Sequence, residues 1–215
     1  MRPAVAAEAP RDCPLCPRLV AFRAANAENE PSWFNGAVPS FGDQRARLIV
    51  VGLAPGLRGA NRTGRPFTGD YAGDLLYETL LDFGFARGRY AASPDDGLEL
   101  VDCLITNAVR CVPPENKPTP AEIGTCRPFL VSRLAASEGV RAILALGRIA
   151  HDSTLSALEA RKAAFPFAHG ARHKVDAPFV LFDSFHCSRY NTNTGRLTRQ
   201  MFRDVFAAIR AHLGG

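Results

Sequence analysis

Four short apolar runs recur along the chain, and each is bounded by glycine, proline or polar residues. They occupy residues 47–53, 101–109, 140–147 and 178–186. Runs of this length that are rich in leucine, isoleucine and valine are typical of strands buried on both faces of a sheet. The pattern therefore predicts four strands that share one core.

Stretches with a helical spacing of apolar residues lie between these runs. In the first of them Leu75, Leu76 and Leu80 fall on one face, and Asp70 stands where a helix N-cap is expected. A further helix can follow the first cysteine pair, over 18–28. The helices predicted after the four strands cover roughly 71–84, 119–137, 148–160 and 197–212.

The alternation of strands and helices predicts an α/β protein with three layers, α/β/α, around a four-stranded parallel sheet. Ligands of such folds bind beyond the carboxyl ends of the strands. Three of these ends, at 52–56, 106–111 and 186–196, carry the most unusual residues of the chain. The remaining long segments are predicted to be irregular: 31–44, 86–100 and 161–177.

Composition narrows the class of protein. The chain has 215 residues, 47% of them apolar, which suits a single domain over 1–215. It has no apolar run near the ~20 residues that span a bilayer and no apolar leader segment, so we expect a cytoplasmic protein with no membrane partner. The net charge of +5 and the pI of about 9.1 mildly favour an anionic partner. A monomer is expected.

Four of the six cysteines have a spacing that suits a metal centre. Cys13 and Cys16 form a close pair, and Cys111 and Cys126 form a second, wider pair. Four thiolates satisfy either a zinc ion or a [4Fe-4S] cluster, and the wide second spacing is unlike a zinc ribbon. The alternative is a redox pair with stray buried thiols, although no strand precedes Cys13 as that motif requires. Cys103 is predicted to be buried in a strand.

The strand ends supply candidate site residues, each with an ordinary structural alternative. Phe67 could stack on a flat ligand or pack under its own loop. Asp70 could polarise a water molecule or only cap its helix. Asn107 could hydrogen-bond a base edge or form a turn. His186 could hydrogen-bond a developing oxyanion or be structural.

Polar and basic residues surround these candidates in two loops. One loop follows the first strand and the other follows the fourth strand, and both could contact phosphates or be ordinary solvated loops. The residues in question are Arg58, Arg62, Arg189, Tyr190, Asn191 and Arg196.

Together these motifs resemble the uracil-DNA glycosylase superfamily, and most closely its family 5, the type B uracil-DNA glycosylases. Residues 52–70 resemble the first motif of that family, and residues 186–198 resemble its second motif. Residues 105–126 are similar to the segment that carries a uracil-reading asparagine and two cluster cysteines. The resemblance covers nearly the whole chain.

The resemblance implies an enzyme that hydrolyses the N-glycosidic bond of a damaged base in double- or single-stranded DNA, after the nucleotide is flipped out. It implies that Phe67 stacks on the base, that Asn107 binds its edge, and that His186 stabilises the negative charge of the leaving base. The loop over 187–196 would grip the DNA. It also implies a [4Fe-4S] cluster, whose ligands would be Cys13, Cys16, Cys111 and Cys126.

One departure from better-known members of the superfamily concerns the pocket. Those members begin the first motif Gly-Gln-Asp-Pro-Tyr, whereas this chain has Gly52, Leu53, Ala54, Pro55 and Gly56. The water-activating aspartate is thus an alanine, and the tyrosine that excludes thymine is a glycine. The nearest remaining carboxylate of the motif is that of Asp70. The open pocket predicts activity on uracil and on larger deaminated bases, hypoxanthine and xanthine.

Two other functions fit parts of the sequence. A non-catalytic iron–sulfur DNA-binding protein would share the cluster and the basic loops but would release no base. A nucleotide-binding enzyme could use residues 52–59 as a phosphate loop, although the chain lacks a GxGxxG or P-loop lysine pattern there.

Overall fold

A computed structural model of the chain describes residues 8–214. We number its strands and helices in chain order. The strands are β1 (Phe41–Gly42), β2 (Leu48–Gly52), β3 (Ala86–Arg87), β4 (Glu99–Leu100), β5 (Cys103–Asn107), β6 (Ala142–Leu146), β7 (Arg172–Lys174) and β8 (Val180–Ser184). The helices are α1 (Pro17–Asn29), α2 (Ala60–Thr63), α3 (Tyr71–Asp82), α4 (Pro120–Ala135), α5 (Arg148–Ala157), α6 (Arg189–Asn193) and α7 (Arg199–Leu213).

The central sheet contains the four predicted strands, which run parallel to one another. Their order is β5-β2-β6-β8, and Val50 of β2 lies opposite Ile105 on one side and Leu144 on the other. All five residues of β2, β5 and β6 are buried, as their continuous apolar sequences predict. The predicted parallel sheet is confirmed.

The sheet is nevertheless wider than predicted, because an antiparallel strand is added at each edge. β1 pairs with β5, and β7 pairs with β8, which gives six strands in the order β1-β5-β2-β6-β8-β7. The prediction of four strands was therefore wrong at the edges. β1 has only two residues, and β7 is Arg-His-Lys, so neither offers an apolar run that a pattern could detect.

Two loops predicted to be irregular also contain short regular elements. The segment 86–100 holds the small hairpin of β3 and β4, and the loop that follows β8 holds the single-turn helix α6. The five longer helices agree with the predicted ranges to within a few residues. Asp70 caps α3, because its carboxylate accepts a hydrogen bond from the Gly73 amide.

Alternate side chains of the strands fill two separate cores. One core packs Val50 and Phe182 against α3 and α7, and the other packs Ile49 and Leu181 against α4 and α5. This confirms the three layers, with two helices covering each face of the sheet. A third cluster joins α1 to α4 around the cysteines. None of the described helices is long and apolar enough to cross a membrane.

Candidate active site at the carboxyl edge of the sheet

The carboxyl ends of β2, β5 and β8 open onto a cavity of about 630 Å³. Gly52 lies opposite Asn107 at the ends of β2 and β5, and His186 follows β8 by two residues. Parallel strands therefore bring three distant segments of the chain to one place. The predicted site residues that line the cavity are Ala54, Gly56, Arg58, Phe67, Asp70, Asn107, His186 and Arg189.

Phe67 and His186 form one wall of this cavity. Their rings stack with centroids 5.9 Å apart and planes at 28°. The backbone of Phe67 has a positive φ of 52°, a conformation that a bulky residue adopts only when its surroundings hold it there. The ring is only 7% exposed, so it packs under its loop and also lines the cavity.

Gly52 makes this arrangement possible because it has no side chain. A Cβ atom at Gly52 would lie 2.3 Å from Asn107 Oδ1 and 2.7 Å from Phe67 Cζ. Residue 52 therefore has to be glycine if the Asn107 amide and the Phe67 ring are to pack against the end of β2. Gly52 shapes the site without lining the cavity itself.

The buried side-chain amide of Asn107 is not fully hydrogen-bonded within the described part of the chain. The residue is 2% exposed, and its Oδ1 has no hydrogen-bond partner among the residues that the structure describes. A buried acceptor without a partner costs about 1–3 kcal/mol, so such an atom at a cavity wall is suited to a ligand that donates a hydrogen bond.

His186 is held in its neutral form. Burial in apolar surroundings lowers the pKa of its imidazole to about 4, because a charged ring would lose hydration there. Its backbone carbonyl accepts a hydrogen bond of 2.8 Å from Asn191 Nδ2, which fixes the turn that carries the ring. A neutral imidazole keeps one N–H and can donate it to a ligand oxygen.

Asp70 reaches the cavity from the first turn of α3. One oxygen, Oδ1, accepts from the Gly73 amide at 3.1 Å. The other oxygen, Oδ2, lies so close to the motif loop that a Cβ on Gly56 or Gly59 would approach it to 2.9 Å or 2.2 Å. Burial raises the pKa of Asp70, and the neighbouring charge of Asp74 adds to the rise. Two glycines of this loop thus make room for a carboxylate.

A cluster of buried contacts fixes the loop between α2 and α3. Arg65 forms a two-point ion pair with Asp96, with both N–O distances 2.8 Å, and its Nε donates to Thr68 Oγ1 at 2.7 Å. The hydrogen bonds from Arg65 lower the pKa of Asp96. Tyr77 donates from its hydroxyl to the carbonyl of Pro66 at 2.6 Å. These contacts hold the backbone on both sides of Phe67.

The predicted DNA-binding residues fall into two groups. Arg58 and Arg189 line the cavity, and the guanidinium of Arg189 lies 5.2 Å from the ring of Tyr71. Tyr190 is 72% exposed on the adjacent helix turn. The others lie outside the cavity lining: Asn191 bonds to the His186 backbone, the Arg196 guanidinium lies 4.5 Å from the Phe185 ring, and Arg62 lines a separate groove.

The four predicted ligand cysteines converge on a second, small cavity. Cys13, Cys16, Cys111 and Cys126 all line it, and all are free thiols. The guanidinium of Arg23 donates to Cys111 Sγ at 3.0 Å. The Arg110 amide also donates, to Cys126 Sγ at 3.3 Å. N–H donors aimed at sulfur are the surroundings that cluster thiolates use, so this donor set fits an iron–sulfur centre.

The other two cysteines lie elsewhere. Cys103 is fully buried in β5, as predicted. Cys187 is also fully buried, and its thiol donates to the Ala72 carbonyl at 3.4 Å.

The geometry of the large cavity suits one kind of ligand. An aromatic wall, a buried amide and a neutral N–H donor together fit a flat heterocycle that carries both a donor and an acceptor on its edge. The half-buried carboxylate of Asp70 stands where it could activate water. Residues 39–210 match the model of a family described as the uracil DNA glycosylase superfamily.

The chain belongs to the uracil-DNA glycosylase superfamily.

Curated relatives agree over most of the chain's length. A protein of Thermus thermophilus named type-5 uracil-DNA glycosylase is 46% identical over 208 residues, which cover 94% of both chains. A protein of the same name from Pyrobaculum aerophilum is 40% identical over 94% of this chain and 90% of its own. Another from Mycobacterium tuberculosis is 41% identical over 94% of this chain and 78% of its own.

Sequence reasoning did not name several lining residues of this glycosylase-family site, among them Asn116. Asn116 lines the large cavity from the turn that follows β5, with a positive φ of 56°. Asparagine tolerates this left-handed conformation better than most residues. Asn116 could have been predicted from its position, because it lies within the segment 105–126 that resembles the family.

A second group of buried polar residues lies on the face of the sheet that α5 covers. Asp183 Oδ1 is 2.7 Å from His151 Nδ1, and its Oδ2 is 2.9 Å from His173 Nε2. His151 Nε2 lies 2.9 Å from the Phe165 carbonyl. A carboxylate and a carbonyl thus flank the two ring nitrogens of His151, an arrangement that favours a ring with a proton on each nitrogen. Burial alone would lower the pKa of His151, but Asp183 outweighs that effect and raises it.

Proposed function

We propose that the protein is a DNA glycosylase that hydrolyses the bond between uracil and deoxyribose in DNA. The observation that carries this proposal is the buried amide of Asn107, which lines the cavity together with Phe67 and His186. The oxygen of this amide has no hydrogen-bond partner among the described residues. The relatives named type-5 uracil-DNA glycosylase support the proposal.

Each side chain then has a defined part in the reaction. Phe67 stacks on the flipped base. The amide of Asn107 accepts from the base N3–H and donates to the adjacent carbonyl. The neutral imidazole of His186 donates its N–H to the base oxygen on which negative charge collects as the bond breaks. A ring that stays neutral at pH 7 can do this as a hydrogen-bond donor.

Asp70 completes the reaction at the sugar. A water molecule attacks C1′ and gives a proton to the carboxylate, while the electron pair of the broken C–N bond leaves with the base. The raised pKa of Asp70 makes it a better proton acceptor than an exposed aspartate. Gly56 and Gly59 let its Oδ2 lie against the loop at the cavity wall.

The range of bases follows from the edge that Asn107 would bind. Uracil, hypoxanthine and xanthine all carry an N–H next to a carbonyl, so one amide orientation serves all three. A cavity of about 630 Å³ is large enough for a purine. Neither Ala54 nor Gly56 offers a bulky wall against one. We therefore propose that the enzyme removes hypoxanthine and xanthine as well as uracil.

Discrimination against normal bases would come from the cost of flipping. A shape difference of one methyl group is worth only about 1–3 kcal/mol in a pocket. Mispaired and deaminated bases are extruded at lower cost than paired ones. Thymine in a normal pair would therefore be spared although its edge resembles that of uracil. Single-turnover rates on hypoxanthine and xanthine test the range, and a protein inert toward hypoxanthine would contradict it.

We propose further that the protein binds single- and double-stranded DNA through its phosphates, with Arg58 and Arg189 nearest the flipped nucleotide. Affinity should fall steeply with salt, because each phosphate contact releases counterions. A flat salt response would contradict this.

A [4Fe-4S] cluster is proposed on Cys13, Cys16, Cys111 and Cys126. Bound there, it would join the N-terminal segment to the loop after β5 and could exchange electrons. Protein purified without oxygen should be brown, with four irons per chain expected from the cluster formula. A colourless protein that holds one zinc ion would refute the cluster and leave the glycosylase proposal intact.

Incubation with a uracil-containing oligonucleotide, followed by alkali, tests the proposed activity. Strand cleavage at uracil is expected for the native protein, and not for the same oligonucleotide with thymine paired to adenine. A non-catalytic DNA-binding protein would bind the oligonucleotide but yield no abasic site. Binding without an alkali-labile product would therefore reject the glycosylase in favour of that alternative.

A further inference from the structure

A groove next to the base cavity has the composition of a nucleic-acid site. It has a volume of about 480 Å³ and is lined by Arg62 and Thr63 at the end of α2, whose first residue, Ala60, lines the base cavity. Arg11, Trp33 and Arg62 are among the residues that line the groove. An aromatic ring beside arginines is the combination that single-stranded nucleic acids bind, because bases stack on the ring while phosphates meet the cations.

The two arginines are exposed, and no acidic residue in the described part of the chain neutralises either of them. Arg11 and Arg62 form none of the ion pairs among residues 8–214. The guanidinium of Arg11 lies 4.6 Å from the ring of Phe34 and donates to its carbonyl at 2.6 Å. Arg62 Nε donates to the Arg58 carbonyl at 2.9 Å. Their positive charge is therefore fixed in place and available to an anion.

The groove is joined rigidly to the base cavity. Arg58 lines the cavity and Arg62 lines the groove, and the hydrogen bond from Arg62 Nε to the Arg58 carbonyl joins the two. The segment that carries Trp33 is tied to α2 by backbone bonds from the Phe34 amide to the Arg62 carbonyl and from the Asn35 amide to the Asn61 carbonyl. A strand whose nucleotide enters the cavity can thus continue into the groove.

We propose that this groove binds the DNA strand that flanks the flipped nucleotide. Arg11 and Arg62 contact its phosphates, and the half-buried indole of Trp33 stacks on an unpaired flanking base. This inference rests on the proposed function for the position of the flipped nucleotide. Because a base in a duplex is already stacked, the contact with Trp33 favours single-stranded substrates.

Trp33 is the only tryptophan of the chain, so its fluorescence reports on the groove directly. The probe is a short single-stranded oligonucleotide with a central 2′-fluoro-2′-deoxyuridine, which resists hydrolysis, and an end label for anisotropy. We expect Trp33 emission to be quenched in step with the anisotropy change. Removal of one flank, either 5′ or 3′, should abolish the quenching, whereas removal of the opposite flank should not.

Variants test the contacts one by one. Trp33→Ala should weaken binding of the full probe by about 5- to 150-fold, from a stacking contribution of roughly 1–3 kcal/mol per base. The same variant should lose nothing further on the probe without the relevant flank, and Trp33→Phe should retain most of the affinity. The double variant Arg11→Ala/Arg62→Ala should reduce the salt dependence of binding. The matched control, Arg161→Ala/Lys162→Ala, removes the same charge from exposed residues outside both cavities.

The inference is overturned if Trp33 emission stays unchanged while the probe binds. It is overturned too if Trp33→Ala, with a native circular-dichroism spectrum, binds the long and the shortened probes as the parent does. Uracil release by the parent protein is measured separately. Normal release with a silent Trp33 rejects only the groove, whereas an absence of release rejects the proposed function itself.

Discussion

Asp183 and His186 lie three positions apart, on β8 and the turn after it, and belong to two polar groups with opposite electrostatics. At Asp183 each carboxylate oxygen lies within hydrogen-bond distance of a histidine nitrogen, and the carboxylate raises the pKa of His151. At His186 the ring has no charged partner to offset its burial, and its pKa falls to about 4. Beside it, the oxygen of Asn107 has no partner among the described residues.

This difference in pairing indicates which group stabilises the fold and which group serves the reaction. Polar groups that satisfy one another inside a protein hold its elements together, here α5, β7 and β8. Polar groups left unsatisfied or desolvated at a cavity wall reduce stability, and they are kept where a ligand supplies the missing partner. The Asp183 group is thus expected to matter for folding, and the Asn107–His186 group for chemistry.

The largest effect is expected when the paired group is broken. Asp183→Ala leaves the buried His151 without its counter-ion and His173 without its acceptor, and losses of about 3–5 kcal/mol are typical of a broken buried pair. Chemical denaturation should show this loss, while the rate of uracil release per folded molecule should stay near the parent's. Asp176→Ala, which changes an exposed aspartate nearby, is the control and should be close to neutral. A stable Asp183→Ala protein that is slow in catalysis would reverse the assignment.

The next effect concerns the unpaired group. His186→Ala removes the donor to the leaving base and should slow single-turnover uracil release by on the order of 10²-fold, or about 2.7 kcal/mol. Its free energy of unfolding should not fall, because a desolvated ring is lost rather than a paired one. His212→Ala, an exposed histidine of α7, should leave the rate unchanged. Equal rates for His186→Ala and the parent would remove His186 from the mechanism.

A smaller effect should follow from crowding Asp70. In Gly59→Ala the new methyl group would meet Oδ2 at 2.2 Å and displace the carboxylate. We expect a loss of about tenfold in uracil release, or about 1.4 kcal/mol. The loss should largely vanish when Asp70→Asn is already present, since the two changes act on one group. Gly124→Ala is the control, because a Cβ there meets no atom within 4 Å. Additive losses would show that Gly59 acts independently of Asp70.

The parts of the molecule that could be predicted from the sequence are those with a local signal. The continuous apolar run at β2 marks a buried strand, and Asp70 marks the start of α3. The two-residue β1 and the polar β7 have no such signal, because pairing with a neighbour makes them strands.

The site could be predicted only in part for a similar reason. The positions of Phe67, Asn107 and His186 follow from strand ends and from the family motifs. The contact of Gly56 and Gly59 with Asp70 depends on how the loop folds back on α3, which no spacing reveals. The pairing of Asp183 with two histidines could not be predicted either, because the three residues lie on separate elements, α5, β7 and β8.

Burial without a charged partner lowers the pKa of His186, whereas Asp183 outweighs burial at His151 and raises its pKa. For His186 the folded pKa lies below the unfolded value of about 6.5, so its contribution to stability is present above pH 6.5 and is lost as the pH falls toward 4. For His151 the folded pKa is raised, so its contribution is present below pH 6.5 and is lost as the pH rises through the folded value.

Heteronuclear NMR of the ring nitrogens, followed from acid to alkaline pH, measures both histidines in one sample. His186→Ala and His151→Ala spectra assign the signals. We expect His186 to stay neutral until the pH approaches about 4, and His151 to keep both ring protons above pH 6.5. Two histidines that titrate together near pH 6.5, or a His186 that is protonated at neutral pH, would contradict this expectation.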